Sequence, residues 1–519
     1  MNYLIKNNLP ENLSSKNDVS KTNENIINEF ILYLINSKII HQNKVKKFFL
    51  EFFEIKINIK IKKNYILHIS KLLDQLLPTL LNQEHPKQAI FQLLRFLDLI
   101  SPNFEFIEKL LSKKFVYKKL SEVLSFSGHI TNILVKDEKL LEILDPYYNI
   151  RLNGNIKIYK NEFDKIQYSL DDEENILIKL RKVHRKLKFQ IIVSVITKEL
   201  KVEDASYEFS ILARATLEKV IEISHNLFLK QKIIEKGFLS EIGILAYGRL
   251  ANNTMTSNSD LDLVFIFPDR NSNYKKEKQY INFYINFSKK ILTLLSAKTS
   301  EGILYEVDSK LTPSNKHSDL ACKLSDFVKF QKSKSFAWQR IALLKSDLVF
   351  KNSKFQNSLN MIIEKIKKKE INLINLVIEI YSMRNIRKDL NKKKLPKTKS
   401  LKLVNWYETK YSLGGQRDVE FLEYFYKKKE IEEIVVDIDI KKLFLRDVKI
   451  FYFIIDQFIN ITFSNEKPEN LPNKVSKYLV NYLNLKDLGN LKKAVRDKKN
   501  EVNRYINEIL KHFDDVIKP

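Results

Sequence analysis

Two aspartates stand two residues apart in AYGRLANNTMTSNSDLDLVFIFPD, residues 246–269, where a polar run meets an apolar one. The apolar run predicts a buried β-strand, and residues i and i+2 of a strand project from the same face. Asp260 and Asp262 would then point together. Leu261 and Leu263 would face a core on the opposite side. Because neighbouring carboxylates repel each other unless a cation lies between them, the pair indicates a divalent metal site.

A third carboxylate on a neighbouring strand would complete a two-metal site for in-line displacement at a phosphate. All-oxygen ligation favours Mg²⁺, which proteins hold through a few carboxylates and the phosphates of a substrate. The stretch LYEVDSKL offers Asp308 for the third position, and Glu306, with the same strand parity, is the other candidate. The Asp-x-Asp pair alone is a weak indication, since a strand edge or a turn can contain the same pair.

The residues that precede the second aspartate strengthen the metal–phosphate interpretation. Gly248 would let a phosphate approach the backbone, Arg249 would neutralise charge, and Ser259 would donate a hydrogen bond to phosphate. The chain has only nine glycines, and five of them fall in three short segments that include Gly248, Gly302 and Gly414. In a chain that uses glycine so rarely, these segments are where a positive φ or a close approach to a ligand is expected.

The elements that must position these residues are mainly helical. Apolar residues recur at helical spacing over 26–235 and again over 353–519, and residues 1–25 are polar and predicted to be loosely ordered. Between the helical parts, 236–352 predicts a small α/β domain with a mixed sheet. Its predicted elements are the strands EIGILAYG and SDLDLVFIF, the helix KEKQYINFYINFSKKILTLLSAKT and a third strand, GILYEVDSKLTP. The stretch NGNIKIYKNEFDK, residues 153–165, breaks the helical pattern and predicts a loop.

Composition limits the class of protein less than the motifs do. A length of 519 residues predicts two to four domains, and 90 basic against 63 acidic residues give a net charge of +27. A basic surface attracts nucleic acid or anionic partners, but the abundance of Lys, Asn and Ile is typical of an A+T-rich genome and explains the charge better. No basic run interleaved with aromatics marks an RNA platform, so nucleic acid is not an expected partner.

The cysteine count and the hydropathy pattern predict a cytoplasmic protein. Cys322 is the one cysteine, so no disulfide framework forms within the chain, as suits a reducing compartment. The first residues lack an apolar core of signal-peptide length. No window approaches the roughly 18 to 20 apolar residues that span a bilayer, and a membrane is not an expected partner.

The motifs together resemble the glutamine synthetase adenylyltransferase family, within the nucleotidyltransferase superfamily. The family has YGKLGG, SDLDLIF, YEIDxRLRPSG, a Trp and ALL in the next helix, and GGxxDIEF. In the same order this chain has YGRLAN, SDLDLVF, YEVDSKLTPSN, FAWQRIALLKSDLVF and LGGQRDVEF, over about 240–425. Weaker similarity extends upstream to about residue 80. Each motif alone is unspecific, but the ordered set is specific.

The resemblance implies roles for individual residues. Those implied as catalytic and metal-binding are Asp260, Asp262 and Asp308. Those implied to bind the nucleotide are Gly248, Arg249, Ser259 and Lys310, and the family has Arg at the last of these positions. A second motif of uncertain role contributes Gly414, Gly415, Asp418 and Glu420. A tight turn followed by a helix cap explains the second motif equally well.

The resemblance also implies a reaction and its partners. Family members are bacterial, multifunctional and cytoplasmic, and regulate nitrogen assimilation. One half of the long enzyme moves AMP from ATP to a tyrosine of glutamine synthetase, with two Mg²⁺ ions, and the other removes it by phosphorolysis. This chain resembles a single half, the C-terminal adenylylating one. A PII-type signalling protein is the implied regulatory partner.

Several alternatives remain open at this stage. They are phosphorolytic removal of AMP, nucleotidyl transfer to RNA, and a catalytically decayed regulator of glutamine synthetase. Decay is considered because the chain departs from the family pattern at Ala251, Asn252, Thr312 and Asn315. Loss of the Arg at 312 removes a bidentate phosphate partner. Since all three carboxylates are present, an active enzyme is expected.

Overall fold

A computed structural model of the chain describes the residues from 63 to 517, apart from several short gaps. The described ranges are 63–83, 86–100, 104–148, 152–231, 241–269, 274–313, 320–351, 353–392, 405–463 and 471–517. The chain separates into two compact units, 1–149 and 150–519. The segment predicted to be loosely ordered, 1–25, lies outside the described residues, as does Asn315. The domain boundaries predicted from the sequence remain predictions.

Helices make up the described part of the first unit. They are α1 (Lys63–Leu81), α2 (Pro86–Ile100), α3 (Phe104–Ser112), α4 (Tyr117–Phe126) and α5 (Gly128–Leu134), with 3₁₀ turns at Lys114–Val116 and Glu138–Leu144. In α1 the side chains of Ile69, Leu72, Leu73 and Leu76 are fully buried, at the spacing of one helix face. This periodicity is what predicted helices here, and the prediction is confirmed.

The second unit surrounds a small sheet with helices. Its elements in chain order are α6 (Ile156–Asp164), α7 (Glu173–Ile196), α8 (Val202–Lys230), β1 (Gly243–Ala246), α9 (Gly248–Ala251), β2 (Leu261–Phe267), α10 (Tyr274–Ser296), β3 (Val307–Asp308), β4 (Ala321–Lys323), α11 (Leu324–Ser333), α12 (Ala337–Leu344), β5 (Asp347–Leu348), α13 (Lys354–Lys367), α14 (Leu373–Lys392), α15 (Gln416–Phe425), α16 (Lys429–Glu432), α17 (Ile438–Thr462), α18 (Asn473–Tyr482), α19 (Leu488–His512) and α20 (Asp514–Ile517). A mainly α fold with a small mixed sheet between helical regions is therefore confirmed.

Strand β2 is the centre of the sheet. The strand order is β3–β2–β1–β5, and β4 also pairs with β2. Strand β1 runs antiparallel to both β2 and β5, whereas β3 and β4 run parallel to β2. The short β3 pairs with the beginning of β2 and β4 pairs with its end, so the start of β2 has an adjacent strand that ends in Asp308.

Both faces of β2 are covered, and this differs from the single core face expected from the Asp-x-Asp pattern. Val264 and Ile266 join a buried cluster with residues of α11 and α13, such as Phe327 and Leu359. On the other face the ring of Phe267 stacks on Tyr284 of α10 with centroids 4.5 Å apart. Polar side chains are consequently confined to the beginning of the strand.

The loop predicted for 153–165 is wrong, because the segment contains helix α6. The Asn155 side chain accepts a hydrogen bond from Lys157 N (3.0 Å) and so caps the helix, directly after Gly154 with φ +75°. Tyr159 and Phe163, four residues apart, are buried on one helix face. The polar residues that obscured the pattern are the cap and the exposed face.

The third predicted strand is present but only two residues long, and β4 and β5 had no prediction. Such short strands carry too few residues for an alternating pattern to appear. Within the described ranges, no helix has the length and apolar character needed to cross a membrane.

Candidate functional site

The three predicted carboxylates converge at the beginning of β2. In the parallel β2–β3 pair, Asp262 lies directly opposite Asp308, and Leu261 N donates a hydrogen bond to Glu306 O (2.9 Å). Glu306 therefore contributes its carbonyl to the sheet while its side chain is exposed. The register thus places Asp308, and not Glu306, directly opposite Asp262.

Gly248 packs closely against the site. It has φ +58°, and a Cβ built on it would lie 2.4 Å from Asp262 Oδ2. The preceding residue, Tyr247, donates its N–H to Asp262 O (2.9 Å). Glycine is thus required here because the β1–α9 turn packs against the Asp262 carboxylate.

The negative charge at Asp262 is incompletely balanced. Burial, together with the carboxylates of Asp260 and Asp308, raises the pKa of Asp262 to about 6, and the positive charges of Lys410 and Arg417 partly oppose this increase. A carboxylate held next to like charges, at partial burial, is the environment that a bound cation would relieve.

Lys310 forms an ion pair with the third carboxylate, Asp308. Its Nζ lies 2.9 Å from Asp308 Oδ2 and its backbone N donates to Asp308 Oδ1 (2.8 Å). Within the ranges that the structure describes, no group of three His, Cys, Asp or Glu side chains is arranged to hold a metal ion. The chemistry of the donor set still fits Mg²⁺, since its carboxylate oxygens lie at the beginning of β2 and on the adjacent β3 and repel one another.

Arg249 is tied to the C-terminal helices. Its guanidinium forms an ion pair with Asp456 of α17 and lies 3.4 Å from both Gln416 Oε1 and Thr256 Oγ1. Burial lowers the pKa of Arg249, but the Asp456 carboxylate outweighs burial, so the pKa lies above its ordinary value. Arg249 therefore links the sheet edge to α15 and α17.

Ser259 stabilises the loop between α9 and β2. Its Oγ accepts a hydrogen bond from Thr256 N (2.9 Å) and lies 3.0 Å from Thr256 Oγ1. The same loop is fixed to the end of α17, because Ser257 Oγ and Asn258 Nδ2 both donate to Asn460 O. This network fixes the backbone immediately before Asp260.

Two of the departures from the family pattern have simple local roles. Asn252 is exposed and donates through Nδ2 to Gly248 O (2.7 Å), which closes the turn that contains Gly248. Thr312 N donates to Ser309 O (2.9 Å) in the turn after β3.

The second motif forms a buried structural junction. A Cβ on Gly414, which has φ +73°, would lie 2.0 Å from Lys499 O of α19, and one on Gly415 would lie 2.5 Å from Thr409 O. The Asp418 side chain is 0% exposed, forms ion pairs with Arg384 and Arg387, and accepts a hydrogen bond from Gly414 N (2.8 Å).

Glu420, the last member of the motif, is exposed, and its carboxylate lies 3.6 Å from Lys345 Nζ. The motif thus joins α14, α15 and α19, and its glycines allow the backbones to approach.

Lys410, Tyr411 and Arg417 were missed by the sequence reasoning, although they flank the second motif in ETKYSLGGQRDVEF. The positive charges of Lys410 and Arg417 act on Asp262 from the C-terminal helical region. A chain with 90 basic residues gives no reason to select these two, so only the tertiary structure identifies them.

Comparisons with known proteins agree with the geometry. The family model described as glutamate-ammonia ligase adenylyltransferase matches residues 117–362, which include the three carboxylates. Similar curated proteins are each named a bifunctional glutamine synthetase adenylyltransferase/adenylyl-removing enzyme. The Alteromonas mediterranea protein is 26% identical over 378 residues, covering 68% of this chain and 36% of the relative. The Bradyrhizobium diazoefficiens protein is 21% identical over 457 residues, covering 82% and 44%.

A third relative, from Rhodopseudomonas palustris, is 23% identical over 359 residues, covering 67% of this chain and 34% of its own length. The chain thus spans between about a third and less than half of the length of these relatives. Residues 117–362 thus match the model of the glutamate-ammonia ligase adenylyltransferase family, and the chain as a whole is similar to less than half of each bifunctional relative.

Proposed function

We propose that this chain transfers AMP from ATP to a tyrosine of glutamine synthetase. The observation that carries the proposal is that Asp262 lies opposite Asp308 on the adjacent strand, with Asp260 close by just before β2, within the region that matches the family model. Glutamine synthetase is proposed as the acceptor because the names of the relatives specify it. A PII-type regulator and a cytoplasmic location are proposed on the resemblance alone.

In this mechanism Asp260, Asp262 and Asp308 would hold two Mg²⁺ ions. When bound, the ions would supply positive charge that stabilises the transferring phosphate and lowers the pKa of the attacking hydroxyl. Asp308 accepts the proton of the tyrosine hydroxyl as its oxygen bonds to the α-phosphorus. The bond between the α-phosphorus and the bridging oxygen breaks, and pyrophosphate leaves.

The three polar side chains Lys310, Arg249 and Ser259, which lie near the carboxylates, differ in the roles we propose for them. We assign Lys310 to the phosphates, because its side chain is exposed and its ion pair with Asp308 places a positive charge beside the third carboxylate. Arg249 and Ser259 have protein partners, Asp456 and Thr256. We therefore assign them the positioning of the loop before Asp260, in place of the direct phosphate contact expected from the sequence.

Removal of AMP by phosphorolysis is the second candidate. The relatives carry both activities in their names, and this chain matches a single half of them. The same three carboxylates serve either direction, since phosphorolysis also displaces an oxygen at the same phosphorus. The proposal for transfer depends on the C-terminal-half character of the motifs YEVDSKLTPSN and FAWQRIALL.

The test is transfer of label from α-labelled ATP to glutamine synthetase of the same cell, in the presence of Mg²⁺. We expect labelled synthetase with the unmodified chain and a loss of about 1,000-fold or more in rate for Asp262→Asn. Glu306→Gln is the matched control, because it removes an exposed carboxylate two residues from Asp308 and is expected to keep full activity.

Three outcomes contradict the proposal. Full activity of Asp262→Asn refutes the carboxylate assignment. Release of ADP from adenylylated synthetase with phosphate, without forward transfer, establishes the removing activity. Label on RNA, or no nucleotide chemistry with either substrate, identifies the RNA enzyme or the decayed regulator.

A further inference from the structure

A cationic cluster lies beside the carboxylates and has no part in the mechanism given above. It consists of Lys410, Tyr411 and Arg417. Lys410 Nζ lies 5.0 Å and Arg417 Cζ 4.9 Å from the centroid of the Tyr411 ring, so both cations pack on one aromatic side chain. Tyr411 is 50% exposed, which leaves the cluster accessible to a ligand.

The backbone that carries the cluster is firmly held. The Glu408 carboxylate accepts hydrogen bonds from Lys410 N (2.9 Å) and Tyr411 N (2.8 Å). Gln416 N donates to Thr409 O (2.7 Å), which closes the loop in front of α15. From α19, Lys499 Nζ donates to Glu408 O (2.6 Å). A loop fixed from several sides presents its cations in a defined place, which is a requirement for selective binding.

The cluster lies close enough to the site for the charges of Lys410 and Arg417 to act on Asp262. Gln416, adjacent to Arg417, accepts a hydrogen bond from Arg249 of α9 (3.4 Å). Among the ion pairs of the described residues, none includes Lys410 or Arg417, unlike the buried arginines that pair with Asp418. Two cations without an ion pair thus stand near three carboxylates that have excess negative charge.

We propose that Lys410 and Arg417 bind the phosphates of the nucleotide, opposite the carboxylates, with the Tyr411 ring holding the two cations apart. A polyphosphate with its metal ions satisfies both groups, because the carboxylates take the metal and the basic side chains take the anionic oxygens. An acidic peptide would satisfy the cations but would be repelled by the carboxylates. The inference rests on the proposed function for the identity of the ligand as a nucleoside triphosphate.

Binding measured without glutamine synthetase tests the inference. We would compare the full chain with the double variant Lys410→Gln/Arg417→Gln, using calorimetry with MgATP and with metal-free tripolyphosphate. The double variant is expected to bind both ligands about 30-fold or more weakly, since each lost cation removes a charge-assisted contact. Lys427→Gln/Arg446→Gln, at two exposed basic positions elsewhere, lowers the net charge equally and is expected to bind within about 2-fold of the unmodified chain.

Two further variants separate a local charge effect from damage to the loop. Lys410→Arg/Arg417→Lys keeps both charges and is expected to retain most of the binding. Asp262→Asn is expected to strengthen metal-free tripolyphosphate binding, because it removes a repulsive carboxylate.

The inference is overturned by equal affinity of the two double variants for both ligands, or by absence of tripolyphosphate binding to the unmodified chain. If the cluster variant loses MgATP binding while no AMP transfer is ever seen, the inference stands and the proposed reaction fails.

Discussion

Two aspartates of the second unit, the partly buried Asp262 and the fully buried Asp418, have opposite charge environments. Asp418 is 0% exposed and has two arginine partners and a backbone N–H. Asp262 is less buried, yet it lies next to two other carboxylates, which together with burial raise its pKa to about 6. The positive charges that act on Asp262 only partly balance it.

The difference distinguishes a structural carboxylate, Asp418, from one that is suited to bind a cation, Asp262. A buried charge whose partners are all protein groups is satisfied and stabilises one arrangement of helices. A buried charge left beside like charges costs stability in the free protein, and a bound cation recovers that cost. Both motifs contain Gly and Asp, so residue types alone do not distinguish them.

The largest effect on stability is expected for Asp418→Ala. The change leaves the buried Arg384, 1% exposed, without its carboxylate, and we expect a loss of about 3–5 kcal/mol in the free energy of unfolding. Urea unfolding followed by tryptophan fluorescence measures it, because both tryptophans, Trp338 and Trp406, belong to the second unit.

Glu420→Gln, two residues further along α15, is the control for this prediction. Its exposed carboxylate contributes little, and the change is expected to stay within about 0.5 kcal/mol. Equal stability of Asp418→Ala and Glu420→Gln would remove the structural role assigned to the second motif.

The next effect is the pH dependence of stability from Asp262. Its folded pKa, about 6, lies above the ordinary 3.8, so between these values the folded state binds more protons than the unfolded state. Its contribution to stability therefore decreases as pH rises through this window, by at most about 3 kcal/mol. Without metal, Asp262→Asn should be more stable than the unmodified chain at pH 7.5, with the advantage disappearing near pH 4.

Addition of Mg²⁺ at pH 7.5 tests whether a cation relieves the repulsion at Asp262. The ion is expected to stabilise the unmodified chain and to leave Asp262→Asn nearly unchanged, as thermal unfolding at several Mg²⁺ concentrations would show. If Asp262→Asn is no more stable than the unmodified chain at pH 7.5 without metal, the charge at Asp262 is balanced in the free protein. Asp262 and Asp418 would then not differ in charge balance.

The smallest effect is the coupling between Gly248 and Asp262. Gly248→Ala places a Cβ at positive φ and in contact with the Asp262 carboxylate, and we expect a loss of about 2 kcal/mol. When Asp262 is already replaced by Ala, the contact is absent, and Gly248→Ala should cost only about 1 kcal/mol, from placing a Cβ at positive φ. A double-mutant cycle by urea unfolding gives the coupling, and a value near zero would mean that the turn does not pack on the carboxylate.

The helices and the two long strands were predictable because each is marked by its own periodicity. The strand SDLDLVFIF and the helix α10 appear as predicted, and the apolar face of α1 follows directly from residue spacing. The failures have local causes. The pattern predicts a loop where helix α6 lies, because the cap and the exposed face of that helix are polar. Strands β4 and β5 are too short to show an alternating pattern.

The candidate site was predictable in part. The motifs selected Asp260, Asp262 and Asp308, and the β2–β3 register then placed the last two opposite each other. The motifs did not show that Arg249 pairs with Asp456, 207 positions later, or that Asp418 is enclosed by Arg384 and Arg387. Partners so far apart in the chain leave no local pattern.

Side-chain type and spacing over a few residues are enough to select the candidate site residues and most of the helices and strands. Which charges are balanced depends on the folded chain. Burial and the distance between charges fix that balance, and both arise when β2, α15 and α19 pack together. The three carboxylates are consequently visible in the one-dimensional pattern, whereas the opposing cations Lys410 and Arg417 become apparent only in the folded chain.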